Sequence, residues 1–281
     1  MTAFRHALRL HQSRWREANG HPSGTQPIVP RAGKPSRPVG SRLPLDYARE
    51  NGANFLTPGA LAAVRARTST VEPHQTFDHQ RVWADLLWSP ALAFNLFGDL
   101  AADLATADRV VHHLWPDAPG TVSQVRFAHS PGRLDPAYTN SLRAFDAVFA
   151  LDHGIVGVDV NYHEWAKPEI PRPENLARYR EVAEQSGAFG PSALEVLEGR
   201  SELAVMWLEH LLLLSMLQHS CRAWSWGRYV VVHPVHNSDI AASCARYRTL
   251  LADDSTFASI TLEQVVDALP ARDALRDRYI P

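Results

Sequence analysis

The chain has 281 residues, of which 45% are hydrophobic, and a formal net charge of −2 at pH 7. This length suffices for one large domain or, less readily, two small ones, and the near-neutral charge excludes a globally basic nucleic-acid-binding protein. The sequence has no run of about 18 apolar residues, no secretory signal and no zinc or disulfide spacing between its two cysteines, so we expect a cytoplasmic protein without membrane association.

The first 45 residues differ in composition from the rest of the chain. Residues 1–18 have the periodicity of a short amphipathic helix, and residues 19–45 are rich in Gly, Pro, Ser and Arg, which is typical of an extended arm. Residues 1–45 hold eight Lys and Arg against one acid, Glu17, which fits either a solvated tail or an arm that contacts nucleic acid. We therefore expect a helix and a basic arm over 1–45 and a globular domain over 46–281.

The pattern is helical from residue 46 to about 110 and then changes period. Pro58 and Pro90 occupy plausible first-turn positions, and Ser89 is the expected N-cap of the second helix. Alternation and β-branched residues next predict three strands, Thr121–Phe127, Leu142–Leu151 and Gly154–Asn161. The short connection at 152–154 favours a hairpin, so the three strands should form an antiparallel meander.

Helices and strands alternate through the remainder of the chain. The predicted elements are Arg172–Gln185 (helix), Ser201–His219 (buried helix), Arg228–Val235 (buried strand), Ser238–Leu251 (helix), Phe257–Thr261 (strand) and Leu262–Leu269 (helix). Strands that alternate with helices after a meander predict an α/β domain with a mixed sheet.

Two acids stand out because apolar neighbours surround them in the predicted strands. Asp146 interrupts the second strand of the meander and Asp159 interrupts the third. An acid within a buried strand is costly unless it is paired or binds a metal ion. Carboxylate oxygens suit Mg²⁺ or Mn²⁺, and the alternative is that both acids pair with one of the many arginines.

The order of elements, with Asp146 on the second strand and Asp159-x-Asn161 on the third, resembles the PD-(D/E)XK nuclease superfamily. Several collinear segments resemble one branch of it, bacterial nuclease-like proteins of mostly unknown role: Ser89–Leu100, Val125–Arg133, Phe145-Asp146, Gly157–Glu164, His210–Leu217 and Tyr229–Asn237. The resemblance spans roughly residues 50 to 270. It implies an α/β, restriction-endonuclease-like fold, a mixed sheet flanked by helices, with a helical N-terminal extension.

The resemblance also implies roles for individual residues. Asp146 and Asp159 would be the ligands of a Mg²⁺ or Mn²⁺ ion that positions a phosphate and activates water. Asn161 stands at the position that is usually lysine, and asparagine carries no positive charge and takes no proton at neutral pH. Ala128 stands where the resemblance implies an acid.

The resemblance also implies polar residues facing the site on the predicted buried helix, where this chain has Val205 and Leu208. Together with Ala128 and Asn161 they indicate an eroded active site.

Three side chains that follow Asn161 in the sequence could compensate for the missing lysine: His163, Glu164 and Lys167. Lys167 is one of only two lysines in the chain, the other being Lys34, although neighbouring prolines suggest that it lies in a loop. His163 and Glu164 could supply a base or a carboxylate. Strand alternation places Asp159, Asn161 and His163 on one face and Glu164 on the other, which favours His163 unless the strand has ended.

The sequence thus leaves more than one function open. The first is a Mg²⁺-dependent DNA endonuclease that hydrolyses phosphodiester bonds with an eroded site containing Asp146, Asp159, Asn161, His163 and Glu164. The alternative is an inactive relative that binds nucleic acid or a protein partner. A third is an enzyme of another kind that reuses the metal site. The resemblance also allows a homodimer, because many nucleases of this fold act as dimers.

Overall fold

The computed structural model describes residues 3–29 and 35–281. Residues 30–34 of the predicted basic arm, including Lys34, lie outside the described residues. Seven strands are present in these ranges: β1 (Gly24–Gln26), β2 (Arg37–Val39), β3 (Val122–His129), β4 (Phe145–Leu151), β5 (Gly154–Val160), β6 (Trp226–His233) and β7 (Phe257–Thr261).

Twelve α-helices are present in the same ranges, together with a short 3₁₀ turn at Pro173–Asn175. They are α1 (Ala3–Ala18), α2 (Leu45–Asn51), α3 (Pro58–Ser69), α4 (Arg81–Ala84), α5 (Ser89–Ala102), α6 (Leu104–Leu114), α7 (Leu176–Ser186), α8 (Ala193–Leu197), α9 (Ala204–Gln218), α10 (Ser238–Arg248), α11 (Leu262–Asp267) and α12 (Arg272–Tyr279). Among the described residues, no helix is both long and apolar enough to cross a lipid bilayer.

The central sheet has five strands in the order β3-β4-β5-β6-β7. Strands β3, β4 and β5 are antiparallel neighbours, whereas β6 and β7 run parallel to β5. The predicted meander and the predicted α/β architecture with a mixed sheet flanked by helices are therefore confirmed. The parallel pairs require crossover connections, and the helices between β5 and β7 supply them.

Helices cover both faces of the sheet. One apolar cluster joins one face to α5, α11 and α12, and a second joins the other face to α7, α9 and α10. Helix α9 is apolar nearly all round, and both Trp207 and Leu211 within it are fully buried. The predicted buried helix is therefore correct, and its one buried carboxylate, Glu209, needs a separate explanation.

The starts of two helices show how local sequence sets the fold. Helix α3 begins at Pro58, and the Thr57 hydroxyl accepts a hydrogen bond from the Ala60 amide at 3.1 Å, as an N-cap residue does. Helix α5 begins at Ser89, but Trp88 occupies the N-cap position and makes no side-chain cap. The prediction of Ser89 as the N-cap is therefore wrong, because its hydroxyl binds elsewhere.

The N-terminal helix α1 packs against α12, and a buried polar network joins them. The Gln12 amide donates to the Arg278 carbonyl at 2.6 Å and to the Tyr162 hydroxyl at 3.1 Å. Arg278 is fully buried, and its guanidinium donates to the Asn54 carbonyl at 2.8 Å and stacks 4.1 Å from the centre of the Trp15 ring. The predicted N-terminal helix is present, and the division of the chain at residue 45 stays a prediction.

Candidate active site

The two strand acids lie at the same edge of the sheet. The register of β4 and β5 pairs Ala147 with Val158, so Asp146 and Asp159 are the next pair outward. The Val160 amide donates to the Asp146 carboxylate at 2.9 Å, which orients that side chain across the end of β5. Both side chains are half-buried, so solvent reaches them at the rim of the sheet.

A third acid, Glu209, reaches this point from α9, and sequence reasoning missed it. The Tyr229 hydroxyl donates to the Glu209 carboxylate at 3.4 Å, and the Arg143 guanidinium lies 3.6 Å from it. Arg143 also pairs with Glu169. The signal was available in the sequence, because Glu209 is a lone acid in an apolar helix, as Asp146 is in an apolar strand.

Glu164 completes what we call the acid cluster: Asp146, Asp159, Glu164 and Glu209. The Ser89 hydroxyl donates to the Glu164 carboxylate at 2.5 Å, and the His163 amide donates to the same oxygen at 3.0 Å. The His163 ring nitrogen lies 3.3 Å from the other Glu164 oxygen. Strand β5 ends at Val160, so strand alternation does not order the side chains that follow.

A cavity of about 170 Å³ opens beside the acid cluster, and Asp159, Asn161, Glu164 and Lys167 line it. His163 is not among its lining residues and instead contacts Glu164 from outside it. Lys167 is the only lysine within the described ranges 3–29 and 35–281, and it shares the cavity with Asn161. The structure thus brings four of the five predicted site side chains together: Asp146, Asp159, Asn161 and Glu164. The fifth, His163, reaches this group through its contact with Glu164.

Mutual repulsion and burial disturb the titration of the acid cluster. Burial and the nearby Asp159 carboxylate raise the pKa of Asp146 well above its usual value. Burial likewise raises the pKa of Glu209 well above its usual value and raises that of Asp159, although Arg143 opposes both changes. The charge of Asp159 also raises the pKa of Glu209, so the two carboxyl groups influence each other's titration.

Glu164 behaves differently from the other three acids. Burial alone would raise its pKa, but the hydrogen bonds and charge of His163 and the hydrogen bond from Ser89 outweigh burial and lower it. Glu164 is therefore the member of the cluster that these contacts keep ionised. Charge within the cluster is distributed unevenly, as is common where carboxylates share a small volume.

Asn161 uses its side chain within the cluster. Its amide nitrogen donates to the Asp159 carboxylate at 2.8 Å, and its backbone amide donates to the Val232 carbonyl at 2.8 Å. The residue is therefore fixed by the end of β6 and steadies Asp159. It supplies no charge at the place where the resemblance implies a lysine.

The other departures from the family pattern also face the site. Ala128 lines a cavity of about 100 Å³ together with Asp146, and its φ of +46° is left-handed, a conformation that side-chain-bearing residues rarely adopt. Val205 lines the cavity that contains Asp159, and Leu208 lines a third cavity, of about 260 Å³, with Glu209. Apolar side chains thus stand at three positions around the acid cluster.

Several carboxylates close together are the kind of donors that Mg²⁺ and Mn²⁺ prefer. The half-buried Asp146 has one backbone donor and no cationic partner among the described residues, so a cation fits the chemistry of this position. Within the described ranges, however, no three His, Cys, Asp or Glu side chains are grouped so that they could hold a metal ion as they stand. The donor set fits such an ion in kind, with Asp146 and Asp159 as its residues.

Comparison with known proteins gives one result. A family model described as the PD-(D/E)XK nuclease superfamily matches residues 2–281. No curated protein and no solved structure matches the chain. The match covers nearly the whole chain, including α1 and all of the elements that carry the acid cluster.

Proposed function

Since the chain belongs to the PD-(D/E)XK nuclease superfamily, we propose that it is a metal-dependent phosphodiesterase that hydrolyses DNA at the acid cluster. The observation that carries the proposal is the convergence of Asp146 and Asp159 with Glu164 and Glu209, in which burial and repulsion raise the pKa of three of the four acids. Such a cluster of buried carboxylates destabilises the metal-free protein, and it is typical of a site that binds a cation.

The protein residues have distinct roles in this proposal. Asp146 and Asp159 would hold Mg²⁺ or Mn²⁺, which when bound supplies Lewis acidity to the phosphate and lowers the pKa of a water molecule. Asn161 orients Asp159 through its 2.8 Å hydrogen bond. Arg143 partly neutralises Glu209 and limits repulsion in the cluster. Lys167 offers the ammonium group that position 161 lacks.

A second candidate function is supported by the residues that depart from the family pattern. The Asn161 amide donates its hydrogen bond to Asp159, and Ala128 contributes no acid to the cavity that it lines with Asp146. An inactive relative that retains the fold to bind nucleic acid or a protein would tolerate both. The two candidates differ in whether the protein cleaves DNA once the metal is bound.

The test begins with calorimetric titration of the protein with Mg²⁺ and Mn²⁺ and with thermal unfolding in the presence and absence of each metal. The protein is then incubated with plasmid and with single-stranded DNA. At a concentration about 100 times the Kd, the metal should stabilise the wild type by about 2.7 kcal/mol, or a Tm rise of about 5 °C. The Asp146→Ala/Asp159→Ala double variant should gain nothing. The control is Asp277→Asn, an exposed acid remote in sequence from the cluster, which should respond as the wild type does.

Each outcome decides between the candidates. Stabilisation that the double variant loses, together with cleavage, establishes the nuclease. Stabilisation without cleavage of either DNA favours the inactive relative. If neither metal alters the Tm of the wild type, the metal-dependent proposal is overturned.

A further inference from the structure

The segment that follows β5, residues 161–172, is called the site loop. It passes beside the acid cluster before the chain enters α7, and its backbone is held at several points. The buried Asn237 side chain donates to the Glu164 carbonyl at 3.1 Å, and the Asp239 carboxylate accepts from the Ala166 amide at 2.7 Å. Further on, Glu169 and Ser201 exchange two backbone hydrogen bonds of 3.0 and 3.1 Å. The site loop is therefore preorganised.

On this fixed backbone, Trp165 projects into solvent. It is 49% exposed, and among the eight tryptophans, all of which lie within residues 3–29 and 35–281, it is the only exposed one. Tryptophan ordinarily buries its large ring, so an exposed tryptophan on a held backbone beside a functional cavity indicates a contact with a partner. A flat apolar ring offers stacking to another flat ring.

The cavity next to Trp165 suits such a ring. Its volume is about 170 Å³, and Val205, Met206 and Ile240 form an apolar wall on the side supplied by α9 and α10. Polar groups of Asp159 and Asn161 stand in the same lining. Apolar walls with a few polar groups match a nucleobase, which has apolar faces and a hydrogen-bonding edge.

The site loop itself carries two cations, Lys167 and Arg172. Lys167 lines the cavity that holds Asp159, and Arg172 lines the 260 Å³ cavity that holds Glu209. Both side chains are exposed, and neither forms an ion pair with another described residue, in contrast to Arg143. These two cations thus line cavities that also contain members of the acid cluster, where they could bind phosphates of one strand.

We propose that the site loop binds an unstacked nucleotide of single-stranded DNA, with its base against Trp165 and the flanking phosphates on Lys167 and Arg172. The proposal rests on the proposed function for the class of ligand, nucleic acid, but not on cleavage. A paired base in a duplex is stacked on both faces, so Trp165 favours a strand whose bases are free.

The experiment measures fluorescence anisotropy of a labelled oligothymidylate and of a duplex of equal length, first with Ca²⁺ and again with EDTA. The wild type should bind the single strand more tightly than the duplex. Trp165→Ala should weaken single-strand binding about tenfold or more, and Trp165→Phe should restore most of it, because the loss of one base–aromatic stack has this magnitude. Circular dichroism verifies that the variants remain folded.

The matched control is Ile170→Ala, which removes a 60% exposed apolar side chain from the same loop but outside the cavity lining. This variant should bind as the wild type does. Lys167→Gln and Arg172→Gln should each reduce the salt dependence of binding by about one phosphate contact.

Three results would overturn the proposal: unchanged single-strand affinity in Trp165→Ala, an equal loss in Ile170→Ala, or no measurable single-strand binding by the wild type in either buffer. If only the nuclease proposal fails, single-strand binding still depends on Trp165, but the protein cleaves no DNA in Mg²⁺ or Mn²⁺. Cleavage in Mg²⁺ or Mn²⁺ together with unchanged single-strand affinity in Trp165→Ala overturns the site-loop proposal alone.

Discussion

Replacing Asp146 with asparagine should make the metal-free protein more stable. The amide keeps an oxygen that can accept the 2.9 Å hydrogen bond from the Val160 amide, so the local geometry is preserved. It removes a negative charge that burial and Asp159 disfavour. No cation among the described residues pairs with Asp146, so the substitution leaves no charge without its partner.

The expected gain is about 1–2 kcal/mol at neutral pH, the size found when a functional site gives up an unfavourable arrangement. For a chain of this length, each kcal/mol moves Tm by about 2 °C, so Asp146→Asn should raise Tm by about 2–4 °C in EDTA. The same variant should lose the stabilisation by Mg²⁺ that the wild type shows.

The pH dependence has a definite sign. The folded state raises the pKa of Asp146 above that of the unfolded chain, which is about 3.9, so the folded wild type binds more protons and loses stability as pH rises above that value. The advantage of asparagine is therefore absent below about pH 4 and grows as pH rises from there towards the raised pKa of Asp146.

Thermal unfolding in EDTA across this pH range measures the difference, with Asp277→Asn as the control, for which no such difference is expected. A Tm advantage of Asp146→Asn that is equally large in acid and at neutral pH would refute the reasoning, since the gain would then not arise from charge. So would a variant that is less stable than the wild type throughout.

Other predictions follow from single contacts. Asn161→Lys should raise cleavage at least about tenfold over an Asn161→Met control, because one charged group at a reacting phosphate contributes on the order of 10²–10³ in rate; equal rates in a plasmid-nicking assay would contradict it. Tyr162→Phe removes the hydroxyl that Gln12 binds and should cost about 1 kcal/mol by denaturant unfolding, whereas no change would show that the bond is not formed. Gly157→Ala should cost about 1–3 kcal/mol in the same measurement, since its methyl group would lie 2.8 Å from the Phe145 ring, and unchanged stability would mean that the ring moves freely.

Much of the fold was predictable because its signals are local. Alternating and β-branched residues located β3, β4 and β5, and the short turn between the last two predicted that they are antiparallel. Helix α12 was missed because Arg272–Tyr279 is mostly charged and has few apolar residues to reveal a period. Tertiary packing stabilises that helix, through Leu275 and Tyr279, which are both buried.

The acid cluster was predictable in part for the same reason. Asp146 and Asp159 interrupt apolar strands, and the identical criterion applied to α9 would have found Glu209. The contact between Ser89 and Glu164 joins residues 75 positions apart, and no local pattern predicts it. The position of His163 depended on where β5 ends, and the boundary of an element is the least certain part of any sequence pattern.

The network of Gln12, Tyr162 and Arg278 has a consequence for biosynthesis. Gln12 and Arg278 are 266 residues apart, so a ribosome releases α1 long before the helix that covers it exists. Until then, the Gln12 amide lacks the Arg278 carbonyl that it donates to, and Trp15 has no guanidinium to stack on. Contacts of such long sequence separation form slowly and late in folding. The nascent chain therefore completes the packing of α1 against α12 only after synthesis has passed Arg278.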